Sequence, residues 1–312
     1  MTTVNIQEVG NMITRYCERL GFPLPATKVL TDAFETIQHK ESLRLLLQAA
    51  VEDLFVPESS EWQNAMETLS SHSGIARETA DMVLLLAAIK PLSDRYAEAG
   101  LEEALLWETM EDLRYKLEEC RAVRGVWGTF VAAWLRGYYL LKRFKLGRMQ
   151  YETVPLKLKQ YHGFQQGDPI VNCHIPSSGP LTMEAVMDSL KRAYGFFEQN
   201  RKDGLMLVTC VSWLLYPPHA RQVYPDGSNM QKFYDLFHVV GSQEDKSNTD
   251  FWRVFHRDYA PENMEHVPLD TSLRRRLYSF LKQGNSMGFG FGVLLFDGEK
   301  IVKPQHLEYR IY

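Results

Sequence analysis

The chain has 312 residues, of which 45% are hydrophobic and 24% charged. That is ordinary globular usage, and the length suits about two domains of roughly 150 residues each. A net charge of −4 and an isoelectric point near 6.2 leave no basic stripe for nucleic acid, and the longest apolar run, Val83 to Ile89, falls far short of the ~20 residues that cross a bilayer.

Residues 1–145 read as helix after helix. Val4, Val9, Ile13, Tyr16, Cys17 and Leu20 recur close to a 3.6-residue period, and Gly21-Phe22-Pro23 ends that segment. Further helices are expected over Ala26–Ile37, Glu41–Leu54 and Glu61–Ser70, with Pro57-Glu58-Ser59-Ser60 as a stop and a new N-cap. The spacing then predicts helices over Ala76–Ala99, Leu101–Cys120 and Gly128–Phe144, with Pro91 kinking or breaking the first of them. The four cysteines, Cys17, Cys120, Cys173 and Cys210, form no CxxC pair and sit in apolar segments. Such residues act as small buried hydrophobes in a reducing compartment. The first residues carry neither a basic stretch nor an apolar core of a signal peptide, so a cytoplasmic location is expected.

Near Gly147 the pattern changes, which sets the expected domain boundary at about residue 146: a helical domain over 1–146 and a second domain over 147–312. Strands are expected over 147–158, 170–175, 205–213 and 239–242, with helices over 182–200, 229–237, 248–255 and 271–282. Gly163 to Asp168 marks a turn. Gly288-Phe289-Gly290-Phe291-Gly292 opens a strand whose glycines permit close backbone approach or a bend, and Asp297-Gly298 is a two-residue hairpin signal. Alternating elements argue for a mixed sheet with helices packed on it, an α+β architecture behind the helical first half. Arg274-Arg275-Arg276 is read as a solvated helix face, with a polyanion site as the alternative.

The strand–loop–helix–strand–helix unit of residues 170–238 presents bare backbone N–H groups in the way that suits a phosphate. In this order of elements, and in the stretches Leu146 to Glu152, His174 to Thr182 and Cys210 to Leu215, the chain resembles the GNAT superfamily of N-acyltransferases. More narrowly, it is similar to proteins that join a helical acyltransferase N-terminal domain to a GNAT-like C-terminal domain. The resemblance implies acetyl-CoA or another acyl-CoA as co-substrate and a small-molecule or peptide amine as acceptor, attacked directly on the thioester. It also implies that strands 170–175 and 205–213 splay apart. The coenzyme would then lie along Ile175, Ser177, Ser178, Gly179, Leu181, Thr182 and Ser212, with Asn229 bonding the pantetheine arm and Tyr234 protonating the leaving thiolate. The chain departs from the superfamily loop, since it has one glycine, no arginine, and two prolines, Pro176 and Pro180, that remove backbone donors. A catalytically inactive ligand-sensing or scaffolding protein is therefore carried as the alternative. A homodimer is possible on either reading.

Amine acylation needs a base, and His174 and Glu152 are the titratable groups on central strands, where an unpaired charge is costly. The bland readings are a hydrogen-bonded core histidine and a structural ion pair of Glu152 with an arginine such as Arg148. Asn229 can equally be a helix N-cap shared with Ser228, and Tyr234 a core aromatic. Cys210 as a nucleophile beside His174 stands against a buried inert thiol. Metal ligation is not expected, because the nine histidines are scattered.

Overall fold

The computed structural model describes residues 6–303 and 309–310, so Val4, at the expected start of the first helix, lies outside them. The chain divides into two compact units, Met1–Phe144 and Lys145–Tyr312.

The first unit is helical: α1 (Ile6–Arg19), α2 (Leu24–Gln38), α3 (Glu41–Leu54), α4 (Glu61–Ser73), α5 (Arg77–Ala87), α6 (Ile89–Glu98), α7 (Glu103–Met110), α8 (Asp112–Arg124) and α9 (Ala132–Tyr139). Helix α5 is buried from Thr79 to Ala87 and packs against α1 to α4, which explains why its second half, Met82 to Ala87, is apolar all round. The expected helix over 76–99 is two helices. Pro91 has no N–H to give the Ala87 carbonyl, and the break falls at Ala88. The segment 101–120 is likewise divided at Glu111. Residues 128–144 were expected as one helix, but α9 ends near Tyr139, Leu141 takes a left-handed φ of 52°, and Arg143–Leu146 forms strand β1.

The second unit holds β2 (Met149–Pro155), β3 (Gln160–Tyr161), β4 (Phe164–Gln165), β5 (Pro169–His174), α10 (Met183–Phe196), β6 (Arg201–Lys202), β7 (Leu205–Ser212), α11 (Pro217–Gln222), α12 (Asn229–Tyr234), β8 (His238–Asp245), α13 (Trp252–Phe255), α14 (Ser272–Lys282), β9 (Met287–Phe296), β10 (Ile301–Val302) and β11 (Tyr309–Arg310). The large sheet runs β1-β2-β5-β7-β9-β10, with β6 on β7 and β8 on β9. Strands β2 and β5 are antiparallel, as are β7 and β9. Strands β5 and β7 are parallel and register only at Val171↔Val208 and Asn172↔Thr209. Beyond those two rungs the strands part.

Side chains alternate across this sheet. On one side, Ile170, Leu207, Val293 and Leu295 are covered by Leu156, Tyr161 and Phe164. This cover is a β3–β4 hairpin, where the sequence suggested only a turn. Its tip, His162-Gly163, has φ of 44° and 85°, as a tight hairpin with right-handed twist requires. On the other side lie helix α10, which buries Val186, Ser189, Leu190 and Ala193, and the 3-10 turn Trp213–Leu215. That turn explains the alternate glycines of β9. A Cβ on Gly290 would stand 1.8 Å from the Leu215 carbonyl oxygen, and one on Gly292 2.6 Å from Leu215 Cδ1. The glycines serve close approach, as read from the sequence.

Candidate functional site

The polar residues of the split strands gather on the hairpin side of the sheet. Gln150 and Glu152 of β2, Asn172 and His174 of β5 and Thr209 of β7 share that side, because Gln150 registers with His174, Glu152 with Asn172, and Asn172 with Thr209. His174 Nε2 lies 2.6 Å from Glu152 Oε1. The Asn172 carboxamide accepts from Thr209 Oγ1 at 3.1 Å, which turns its NH2 toward Glu152 Oε1 at 3.5 Å and His174 Nε2 at 3.1 Å. The His174 and Glu152 side chains are 26% and 18% exposed, so the pair is largely withdrawn from water yet open to a ligand. The carboxylate holds the imidazole by a charge-assisted bond, an arrangement able to take up a proton.

Next to this polar row the surface turns apolar. Val211 and Phe291 register with each other across β7 and β9, one step past Thr209, and are 53% and 38% exposed. Phe289 stacks edge-on to Phe291, with centroids 5.6 Å apart. An acid–base pair beside an exposed apolar strip is a surface that can seat a polar reacting group and a hydrocarbon tail together.

The loop after β5 is built from outside its own sequence. Arg148, at the β1–β2 turn, donates to the carbonyls of Pro176 (2.8 Å), Gly179 (2.8 Å) and Pro180 (3.1 Å) and to Ser178 Oγ (3.2 Å). Strand β2 is in turn fixed to α10, since Ser189 Oγ accepts from the Met149 amide at 3.1 Å and meets the Tyr151 hydroxyl at 3.0 Å. Gly179 has φ of 102°, a conformation that favours glycine. Thr182 caps α10, accepting from the Ala185 amide at 3.3 Å, while its carbonyl takes the Val186 amide. The Met183 and Glu184 amides belong to the first turn that an α-helix cannot pair by itself. Ile175 is half-buried, Leu181 buried and Ser177 exposed.

The remaining candidates stand elsewhere. Ser212 Oγ caps the 3-10 turn by accepting from the Leu214 amide. The N-cap of α12 is Ser228, accepting from the Gln231 amide at 3.2 Å, and Asn229 is the exposed first helical residue behind it. Tyr234 is half-buried on α12, which packs on the helix side of the sheet against Trp213–Leu215. Burial raises its pKa, so the phenol keeps its proton at neutral pH. Cys210 lies opposite Gly292, on the helix side, away from His174. A hydrogen bond with Cys173 and full burial push its thiol well above the ordinary range, which leaves a structural thiol. Among the described residues, no group of three or more His, Cys, Asp or Glu is placed to hold a metal ion, and no helix is long and apolar enough to cross a membrane.

Sequence reasoning missed Arg148 as the clasp of the loop, having considered it only as a partner for Glu152. It also missed Gln150, whose side chain is fully buried with neither amide atom hydrogen-bonded among the described residues. An arginine at a tight turn, Gly147-Arg148, was the available signal for the first. For the second, only strand register could place it opposite His174.

Two family models match the chain. The N-acyltransferase N-terminal domain covers residues 12–140, and the GNAT-like C-terminal domain covers residues 143–294. A comparison with curated proteins returned no match. Among solved structures, the chain is similar to an acyltransferase in complex with decanoyl-CoA, at 24% identity and a TM-score of 0.72, over 88% of this chain and 85% of that one. It is similar to an acyltransferase in complex with decanoyl-CoA and teicoplanin, at 20% identity and a TM-score of 0.71, over 89% and 85%. A third, an acyltransferase in complex with CoA and 10C-teicoplanin, shows 21% identity and a TM-score of 0.72 over 89% and 85%. At these identities the likeness is one of fold.

Proposed function

We propose that this chain, which belongs to the GNAT-like N-acyltransferase family, moves an acyl group from an acyl-CoA to an amine by direct attack, using the His174–Glu152 pair as its base. The observation that carries the reading is the 2.6 Å contact of that pair beside the gap where β5 and β7 part. In this scheme the amine nitrogen attacks the thioester carbonyl carbon, and the ammonium proton passes to the His174–Glu152 pair. The carbon–sulfur bond then breaks, and the thiolate takes up the proton that the His174–Glu152 pair received. Tyr234, on the helix side of the sheet, would serve as donor only for a thiolate lying on that side. The clasped loop from Pro176 to Thr182 and the first turn of α10 receive the pyrophosphate.

The acyl chain we assign is of medium length. The exposed strip of Val211 and Phe291 supports this, because an acetyl group would leave it uncovered. So do the decanoyl-CoA and octanoyl-CoA found in structurally similar acyltransferases. Teicoplanin in one of those complexes favours a sizeable organic amine as acceptor. A non-catalytic sensor remains the second reading, favoured by the loop carbonyls that Arg148 occupies and by the two loop prolines.

Isothermal titration with acetyl-CoA, octanoyl-CoA and decanoyl-CoA tests the coenzyme assignment. Affinity that climbs with chain length, and climbs less in Phe291→Ser, is expected. Equal weak heats for all three would remove the acyl-chain assignment, and no heat for any CoA species would remove the transferase reading.

A further inference from the structure

The arginine run singled out from the sequence lies on α14, and its three side chains have different fates. Arg274 is tied down, donating to the Val254 carbonyl at 2.8 Å and to Asp270 at 2.7 Å. Arg275 gives one N–H to the Leu269 carbonyl at 2.8 Å. Arg276 has no hydrogen-bond or ion-pair partner among the described residues. Arg275 and Arg276 both line a cleft of about 440 Å³ between α11 and α14, together with Gln222, Ser279, Phe280 and Gln283.

The composition of that cleft is one-sided. Its α14 residues recur at three- and four-residue steps, so they form one stripe of the helix, with Gln222 of α11 opposite. Two guanidiniums, a hydroxyl and two carboxamides supply donors, and among the described residues no carboxylate lines the cleft to neutralise them. Asp270 and Glu265 are paired with Arg274 and Lys282. The volume is within the ~300–1,000 Å³ typical of small-molecule sites. The carbonyl end of α14 points its negative pole at Gln283, so an anion is favoured at the Arg275–Arg276 end and an uncharged polar part at the glutamines. Phe280 floors the cleft, held edge-on to the buried His219 ring at 5.5 Å. That gives a flat apolar patch next to a forked cationic clamp, the geometry by which arginines take up phosphate.

We propose that the α11–α14 cleft binds a phosphate group carried on a larger organic molecule, with Arg275 and Arg276 as its clamp. The phosphate has two chemical sources, the 3′-phosphate end of coenzyme A and a separate phosphorylated compound. The residues used are distinct from the His174–Glu152 site.

The test titrates the full chain with inorganic pyrophosphate, following saturable heat and melting temperature, and reads the part of the binding that cleft variants remove, because the loop of residues 176–182 is assigned a pyrophosphate of its own. A parallel series compares CoA with dephospho-CoA. The variants are Arg275→Gln with Arg276→Gln, and separately Ser279→Glu, which sets a carboxylate in the cleft. All three positions are exposed, so the fold is expected to survive. Saturable pyrophosphate binding that falls about tenfold or more in both variants, with unchanged melting of the free protein, is expected. If the double variant also loses the preference for CoA over dephospho-CoA, the coenzyme is the source. If that preference stays while pyrophosphate binding is lost, a separate phosphorylated compound is the ligand. Pyrophosphate binding that is absent in the parent chain, or equal in parent and variants, overturns the proposal.

Discussion

Glu152 and His174 are diagonal neighbours on the antiparallel pair β2–β5, two residues out of register, and their side chains nevertheless close to 2.6 Å. Diagonal pairs normally stand wider than directly opposite ones. The Asn172 carboxamide, itself held by Thr209, turns its NH2 toward the same Glu152 oxygen. Thr209→Val removes that outer hydrogen bond while keeping shape. It is expected to cost about 1 kcal/mol of stability and to lower kcat by roughly tenfold through a looser base, with acyl-CoA affinity unchanged. Steady-state kinetics beside a denaturant melt separates the two effects. A fall in acyl-CoA affinity matching the fall in kcat would count against a role through the base.

Arg148 ties the loop by four hydrogen bonds from one guanidinium. Lysine cannot reproduce that planar fork. Arg148→Lys and Arg148→Ala should therefore both weaken acyl-CoA binding by about tenfold or more, since a loosened loop must be ordered when the ligand arrives. Titration calorimetry reads this directly, and near-wild-type affinity in the lysine variant would contradict it.

Two glycines give opposite expectations. Gly290→Ala places a methyl 1.8 Å from the Leu215 carbonyl oxygen, which neither backbone can yield cheaply. A loss of about 3 kcal/mol or more, or failure to accumulate folded protein, is expected. Gly195 lies in α10 with nothing within 4 Å of an added Cβ. Gly195→Ala should stabilise by about 0.5 kcal/mol. Thermal melts of the pair check both signs.

His219 is fully buried, and burial pulls its pKa from 6.5 to about 4. Its Nδ1 donates to the Trp213 carbonyl at 3.0 Å, and Nε2 has no partner among the described residues. The unfolded chain thus binds the proton more readily between those pH values, so stability falls as pH drops from 6.5 toward 4 and is fully present above 6.5. The effect is worth roughly 3 kcal/mol. His219→Phe leaves the Trp213 carbonyl its bond from the Tyr224 hydroxyl at 3.2 Å and should flatten this part of the profile. Urea melts from pH 7 to pH 4.5 measure it, and parallel curves for the two proteins would refute it.

How much of this was legible in the sequence follows from which forces are local. Glu41–Leu54 was read to the residue because its apolar stripe and flanking breaks lie within the helix itself. The first half of β1, Arg143 and Phe144, was read as the end of a helix because Arg143–Leu146 has no strong β signal of its own and takes its conformation from the sheet it joins. The β3–β4 hairpin was missed because each of its strands has only two residues, too short to show alternation. At the site, alternation along β5 correctly put Asn172 and His174 on one side. The 2.6 Å bond to Glu152 and the Arg148 clasp depend on side chains that meet across sequence separations of 22 and about 30 residues, which periodicity cannot reveal.

The measurement that tests the central claim is amine-dependent release of CoA from decanoyl-CoA, followed by thiol detection and by mass analysis of the acylated product. It is run for the parent chain, His174→Gln and Glu152→Gln. Acyl transfer to at least one amine by the parent chain is expected. A fall in kcat of about 10²-fold or more in both variants, with acyl-CoA affinity preserved, is expected with it. Full activity in His174→Gln, or tight acyl-CoA binding by the parent with no transfer to any amine across a broad panel, would contradict it and leave the sensor reading in its place.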